Sequence, residues 1–474
     1  MKSTKIKEDL QRVLKEIIQT QPIILTIIED IAKKGGRALL VGGAVRDIIL
    51  SILQDKKNGV KDLDIEVHGL TLDQLQDILE HYRQVSLVGK SFGVLRLHGL
   101  DIDWSLPRKD SSGRHPTVVI DPNMSLSEAF ARRDLTINAM GIDLNSSELI
   151  DPWNGLNDLQ EGILRATDPA LFIEDPLRLF RVMQFIGRFA MKPDAQLDAI
   201  CTRMSLKGIS IERVEAEFDK LFLKSQRPSL GIRWLQSIGR LEEILPELFA
   251  TIGVQQESDW HPEGDVFEHT MQSIDASALL SYSDNNQKLI AMYGVLCHDL
   301  GKTTTTQKIS GRLRSLGHEE AGVPLAKNML KRITHRKELT DTVAKLVRYH
   351  MAPGQFIKNG AKISAYKRLA NKLAPDITVE LLAKVSLADK RGRNPESSTP
   401  LTRAIPEIDE FIQKSQHAQV FYKPEEPILH GRDLMDIMQP GPRMGELLKK
   451  AYEIQIEQGI TDKQELLKRI LQNQ

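Results

Sequence analysis

Two aspartates one residue apart, Asp62 and Asp64, sit in the string DLDIEV, and strand side chains alternate, so both carboxylates point to one face. A pair so placed can share divalent cations. Nucleotidyl transfer needs two Mg²⁺ ions about 3.5–4 Å apart, one activating the attacking hydroxyl and one clamping a triphosphate. A third carboxylate usually arrives from a neighbouring strand. Asp103 in DIDWSL is the natural candidate, with Asp101 two residues before it. Upstream, Gly42-Gly43 fall between a strand and a helix, where free backbone N–H groups and the helix dipole favour an anion. Arg46 lies just inside that helix, within reach of a phosphate. Taken alone, an Asp-x-Asp is more often a solvated strand face.

A second group lies far downstream. His298-Asp299 in VLCHDLGK close a helix, where adjacent N and O ligands reach one cation and suit Zn, Ni, Mn or Mg. His269 in WHPEGDVFEHT, His318 in GHEEAG, His350 in VRYHMAP and Asp389 in SLADKRGR accompany them on successive predicted helices. Lys302, four residues after His298 on the same face, can hold a phosphate. A metal in such a site lowers the pKa of bound water and polarises a phosphoryl oxygen, which is phosphoester hydrolysis.

The elements that must position these residues change in texture along the chain. Apolar residues at helical spacing (Leu10, Val13, Leu14, Ile17) predict a helix from residue 7, broken at Pro22 and resumed to Lys34. ALLVGG (38–43) reads as a buried strand, AVRDIILSIL (44–53) as a helix, DLDIEV (62–67) as a strand, and 91–97 with 101–106 as a hairpin turning at His98-Gly99. From Asp168 nearly every segment is helical, with turns at Pro193, Gly208, Pro228 and Pro246, and Gln255–Gly264 is a polar boundary. The expected class is α+β multidomain, a mixed α/β head followed by all-α parts. The expected divisions are 1–35, 36–165, 166–254, 255–400 and 401–474.

At 474 residues the chain exceeds one hydrophobic core, and 41% hydrophobic with 27% charged residues is an ordinary folded composition. Sixty-four basic and sixty-four acidic residues cancel, so any nucleic-acid contact must be a local basic patch. Arg178, Arg181 and Arg188 offer one, and Lys331, Arg332, His335, Arg336 and Lys337 another. Two cysteines, Cys201 and Cys297, make neither a zinc cluster nor a disulfide framework. The apolar stretch Pro22–Ile28 is too short for a membrane span, and no signal peptide is evident, so the expected location is cytoplasmic, with no membrane partner.

GGAVRD (42–47), DLD (62–64) and RRDLTINAM (132–140) together resemble the tRNA nucleotidyltransferase and poly(A) polymerase family of the polymerase-β superfamily. The resemblance implies that Asp62 and Asp64 bind Mg²⁺ and that Arg132, Arg133 and Asp134 contact the incoming nucleotide. IEDPLRLFRVMQF (173–185) is similar to the family's nucleotide-selecting motif. There Asp175 and Arg178, one acceptor and one donor on one helix face, can mimic a base's Watson–Crick edge. Asp175 before Pro176 is equally a good helix cap. The loop 108–131, with Ser111, Ser112, Gly113 and Pro116, favours full CCA addition over CC addition. The histidines and aspartates over 255–394 resemble the HD phosphohydrolase superfamily. By that resemblance His269, His298, Asp299 and Asp389 are metal ligands, while His318 and His350 bind a second metal or substrate phosphate. Where that pattern continues with Asp after the last histidine, this chain has Met351. The strings together are most similar to bacterial multifunctional CCA-adding enzymes, which join both domains. The implied function is addition and repair of the 3′-terminal CCA of tRNA from CTP and ATP, with a linked phosphatase or 2′,3′-cyclic phosphodiesterase. The implied partner is the tRNA acceptor end, and the enzyme is a monomer or a homodimer. The alternatives are a poly(A) polymerase, a partial CC- or A-adding enzyme, or an HD phosphohydrolase whose head only binds RNA.

Overall fold

The run Ala38-Leu39-Leu40-Val41 is buried on both faces, as an interior strand requires. It forms most of β1 (Arg37–Val41). A computed structural model describes residues 2–20, 22–55, 63–88, 93–110, 118–394 and 402–472. Asp62 and the loop residues Ser111, Ser112, Gly113 and Pro116 lie outside the described residues. The chain divides into two units, Met1–Ser210 and Ile211–Gln474, and this division falls within the 166–254 segment.

In the first unit β1 joins β2 (Leu63–His68), β3 (Val85–Val88), β4 (Val94–Leu97) and β5 (Ile102–Ser105). Beyond β6 (Arg108–Asp110) and β7 (Val118–Ile120), which pair with each other, come β8 (Gly141–Asp143) and β9 (Leu149–Ile150). The seven-stranded sheet runs β3-β4-β5-β2-β1-β8-β9. All its pairings are antiparallel except β2 with β5, whose parallel register sets Asp64 opposite Asp103. The expected hairpin is β4–β5, with Arg96 opposite Asp103. The helix Pro22–Lys33 buries Ile24, Ile27, Ile28 and Ile31, the i, i+3, i+4, i+7 stripe of an amphipathic helix. Two short parallel strands, β10 (Ile163–Leu164) and β11 (Lys192–Pro193), flank the helix Leu177–Phe189 in sequence.

Among its described residues the second unit is helical apart from one hairpin, β12 (Thr306–Ile309) and β13 (Arg312–Ser315). Helices Val266–Ala278, Asn285–Cys297, His318–Ile333, Lys337–Tyr349 and Val379–Arg391 carry the histidines and aspartates, at or just beyond their ends or on their buried faces. The C-terminal helices Pro442–Gln458 and Lys463–Gln472 share a small core of their own around Leu434, Leu447, Leu466 and Ile470.

Candidate active sites

In the first unit, Asp64 is exposed at the start of β2, and Asp103 faces the same side from β5. Arg96 donates from Nε to Asp103 Oδ1 at 2.7 Å, a cation already placed beside the third carboxylate. Gly42 ends β1's turn with φ +74°, and a Cβ there would lie 2.6 Å from Arg133 Nη1 and 3.9 Å from Asp64 Oδ2. Only glycine takes that backbone conformation without strain and lets the chain pass so close. Gly42, Asp64 and Arg133 therefore meet at one place.

Two residues beyond Asp64 on the same strand face, Glu66 is fully buried. Its carboxylate accepts from Arg132 Nη2 at 3.2 Å, lies 4.0 Å from Arg133 Nη2 and hydrogen-bonds His68 Nε2 at 3.1 Å. Burial alone would raise its pKa, but His68 and the two guanidinium groups outweigh burial and hold it below the usual glutamate value. Glu66 thus fixes both arginines as an ionised anchor. Sequence reasoning missed it, although it is the third acid of the alternating row 62, 64, 66.

Asp134 is buried and accepts from Arg181 Nε (2.6 Å), Asn138 Nδ2 (2.8 Å) and the Leu135 N–H (2.9 Å). These partners overcome burial and bring its pKa down to about 2. Arg181 is therefore tied to Asp134. Arg46 departs from expectation. It is 4% exposed, donates to Asn138 Oδ1 at 2.6 Å and to Asp47 at 2.9 Å, and lies about 5 Å from the ring centres of Phe185 and Phe189. A guanidinium so enclosed braces the helix Leu177–Phe189 instead of gripping an open phosphate. At the start of that helix, Asp175 Oδ1 accepts from the Leu177 N–H at 3.1 Å, the capping role allowed for above. Arg178 donates to the carbonyls of Leu171 (2.8 Å) and Arg132 (2.6 Å), linking the expected base-reading motif to the Arg132-Arg133-Asp134 group.

In the second unit the expected residues converge from five helices. His269 Nε2 lies 3.2 Å from His298 Nε2 and 3.1 Å from Asp389 Oδ1. Asp299 Oδ2 is 3.2 Å from His298 Nε2 and 3.6 Å from His269 Nε2. The other oxygen, Asp299 Oδ1, is 3.3 Å from His318 Nε2 and 3.8 Å from His350 Nε2, and those two nitrogens are 3.2 Å apart. Asp299 therefore stands between two clusters, His269–His298–Asp389 and His318–His350.

The ring orientations test whether a cation belongs there. His298, His318 and His350 each place Nδ1 2.7–2.8 Å from a backbone carbonyl three residues back, of Val295, Ser315 and Val347. A carbonyl only accepts, so each Nδ1 carries a proton, and Nε2 is the ring atom turned inward and able to ligate. His269 does the same through Glu263 Oε1 at 2.7 Å. Nε2 atoms converging at 3.2 Å beside buried carboxylates are a donor set for metal ions, so the residues fit the group that the sequence implies. Burial and the neighbouring imidazoles push His350 down to about 3, whereas for His269 and His318 burial is outweighed by Asp389 and Glu263 and by Asp299, which raise them. Burial opposes ionisation of Asp299, yet His298 and Lys302 outweigh it and hold its pKa well below the ordinary value. Lys302 Nζ rests 2.7 Å from Asp299 Oδ2 and donates to Gln256.

Two supporting residues escaped sequence reading. Glu263 receives both His261 and His269, and Arg393 lies 3.4 Å from Asp389. Each falls within a few residues of an expected ligand, which is the signal that was available. A second correction concerns the basic cluster at 331–337. Arg332 pairs with Glu247 at 2.6 Å, and Arg336 with Asp219 at 2.9 Å and with Glu215. These guanidinium groups hold helices together and do not form a free phosphate-binding patch.

Residues 38–165 match the Poly A polymerase head domain family and residues 266–392 the HD domain family. The multifunctional CCA protein of Mannheimia succiniciproducens is 34% identical over 398 residues, covering 80% of this chain and 88% of the relative. The chain belongs to the multifunctional CCA protein family. Its counterpart in Pasteurella multocida is 33% identical, covering 75% of this chain and 83% of the relative. The fold is also that of solved CCA-adding enzymes. The Thermotoga maritima enzyme complexed with tRNA aligns with TM-score 0.60 at 17% identity, covering 98% of both chains. The Bacillus stearothermophilus enzyme in complex with CTP aligns at 0.62 and 19%, covering 95% of this chain and 97% of that one. Among the described residues no helix is long and apolar enough to cross a membrane.

Proposed function

We propose that this chain adds and repairs the 3′-terminal CCA of tRNA from CTP and ATP, and that its HD centre hydrolyses phosphoesters. The observation that carries the first activity is the in-register pairing of Asp64 with Asp103 beside Gly42 and Arg133. Asp62, Asp64 and Asp103 would hold Mg²⁺, which supplies activation of the 3′-hydroxyl and neutralisation of the triphosphate. Gly43 offers its backbone N–H to phosphate, while Gly42, whose N–H donates to the Met140 carbonyl at 3.2 Å, gives the close approach. Arg132 and Arg133, fixed by Glu66, receive the nucleotide's phosphates and sugar, and Asp134 keeps that group rigid through Arg181. Asp175 and Arg178 read the base edge, and discrimination against UTP and GTP rests on hydrogen bonds those bases cannot complete.

At the HD centre His269, His298, Asp299 and Asp389 would hold one divalent cation, and His318 and His350 a second or the substrate phosphate. A metal there supplies an activated water and a polarised phosphoryl oxygen. Lys302 is placed to hold phosphate charge. Freeing a phosphorylated 3′ end would restore the hydroxyl that nucleotide addition requires. The substrate is the tRNA acceptor end, the setting is the cytoplasm, and the divisions at 36–165 and 255–400 are the domains that carry the two reactions.

The test is incubation with tRNA lacking its 3′ end, labelled CTP and ATP, and Mg²⁺, followed by sequencing of the product ends. Full CCA is expected. Asp62→Ala and Asp64→Ala should each cut addition at least a thousandfold, roughly 4 kcal/mol of transition-state stabilisation, with phosphohydrolysis intact. Near-normal CTP incorporation by both variants would overturn the assignment, and an enzyme that stops after CC would reduce it to partial addition.

A further inference from the structure

The hairpin β12–β13 interrupts an otherwise helical unit, and it grows directly out of the HD centre. Lys302 lies just before β12, and His318 lies just after β13. Thr306 donates to the Lys302 carbonyl at 2.7 Å and meets Ser315 Oγ at 2.8 Å, while the Ser315 carbonyl is the acceptor that orients His318. The turn Ser310-Gly311 has φ +50° and +84°, the two left-handed residues that a tight two-residue hairpin turn uses.

Arg312 and Arg314 are two apart on β13 and so share one face. Both are exposed, as is Lys308, and none of the three forms an ion pair among the described residues. That contrasts with Arg332 and Arg336, which are tied down. Beside the hairpin lies the loop that supplies Glu263. Glu257 of this loop accepts from the Leu313 N–H at 3.0 Å, and its own carbonyl accepts from the Trp260 N–H at 3.0 Å. Trp260 is 59% exposed, a large aromatic face in water on the loop that Glu257 ties to the hairpin.

We propose that the β12–β13 hairpin and Trp260 bind the single-stranded 3′ end of an RNA and lead it to the HD centre. Arg312 and Arg314 take backbone phosphates, and Trp260 stacks on a base. Unpaired guanidinium groups on the hairpin and an exposed indole on the loop bonded to it match phosphates and bases, the pattern of sequence-tolerant single-strand binding. Length favours a strand over a mononucleotide. A nucleoside monophosphate whose one phosphate occupies the buried centre has none left for Arg312 and Arg314, whereas a strand has. The inference deepens the phosphohydrolase reading and rests on it.

Hydrolysis of a short oligoribonucleotide ending in a 3′-phosphate is compared with that of p-nitrophenyl phosphate, using full-length enzyme with Mn²⁺. For Arg312→Glu/Arg314→Glu, KM for the oligonucleotide should rise at least tenfold, with p-nitrophenyl phosphate hydrolysis and CTP incorporation unchanged. The salt dependence of oligonucleotide KM should flatten by about 1.4 in log–log slope, two phosphate contacts' worth. In parallel, an oligonucleotide carrying 4-thiouridine at its 3′ end is photocrosslinked to the enzyme and the adducts are mapped. Crosslinks within 257–261 and 306–316, lost in the double variant, are expected. Equal loss on both substrates, no loss on either, or crosslinks confined to other segments would overturn the proposal. If wild-type enzyme hydrolyses neither substrate, the phosphohydrolase reading fails, and the crosslinks alone decide whether the hairpin binds RNA.

Discussion

Glu66 and Glu263 do the same job in different units. Each is a buried carboxylate that orients cationic or imidazole groups of a candidate site: Arg132 and Arg133 for one, His269 for the other. Both are ionised because their partners outweigh burial. Asp275 is the opposite case. Burial pushes its pKa up to about 6, and the hydrogen bonds from Ser229 N (2.9 Å) and Oγ (2.6 Å) do not offset it. Its folded state holds a proton that the unfolded chain has released above the ordinary aspartate value near 3.8. The contribution to stability is therefore present in acid and lost as pH rises from about 4 to about 6. Asp275→Asn does not titrate, so its stability relative to wild type should climb over that window by up to about 3 kcal/mol. Urea unfolding of both proteins at several pH values measures this, and a pH-independent difference would refute it.

At the scale of elements, a glycine sets how closely two segments approach at the HD centre. A Cβ at Gly301 would fall 2.0 Å from the His318 carbonyl oxygen and 2.6 Å from the Gly322 N–H nitrogen, both backbone atoms that cannot swing aside. Gly301→Ala should force the helix His318–Ile333 outward, at a cost of about 1–3 kcal/mol, and move His318 away from Asp299. Thermal unfolding together with metal content after dialysis would report it, and a variant with wild-type stability and metal content would show that the crossing has slack. The sequence, through its resemblance to the HD superfamily, singled out the histidines and aspartates that the fold brings within 4 Å of one another. In the sheet, β1 was legible as an apolar run, β2 from alternation and β4–β5 from the turn at His98-Gly99, whereas the short strands β3, β8 and β9 were not read. The hairpin β12–β13 was not read, since four consecutive threonines and a basic run hid the alternation TQKI and RLRS around Ser310-Gly311. Arg46 was misread for a related reason. Sequence places it near phosphate, but only packing reveals Phe185, Phe189 and Asn138 around its guanidinium.

For the molecule as a whole, a net charge of zero conceals strong local organisation. Each constellation is assembled from residues of a single unit, so neither chemistry borrows a ligand from the other among the described residues. That separation explains why the motifs could be assigned one stretch at a time. It also explains what spacing did not convey: Glu66, Glu263 and Arg393 matter through contacts made only after folding. The inward Nε2 atoms of His269, His298, His318 and His350 carry one further consequence. Four rings held by their outer nitrogens keep these atoms and the Asp299 and Asp389 carboxylates facing one another in one buried space. A bound ion acts as a keystone, and its affinity is counted in the folding equilibrium. Heat resistance of the second unit should then be set by free metal, gaining about 1.4 kcal/mol for each tenfold rise above the dissociation constant. Melting curves in Mn²⁺ titrated against chelator should shift accordingly. Glu263→Gln, which loosens His269, should need about 10–100-fold more metal for the same shift. Melting that ignores metal altogether would mean the four rings tolerate one another unaided. In a cell, such a protein would report metal scarcity first as a loss of thermal endurance.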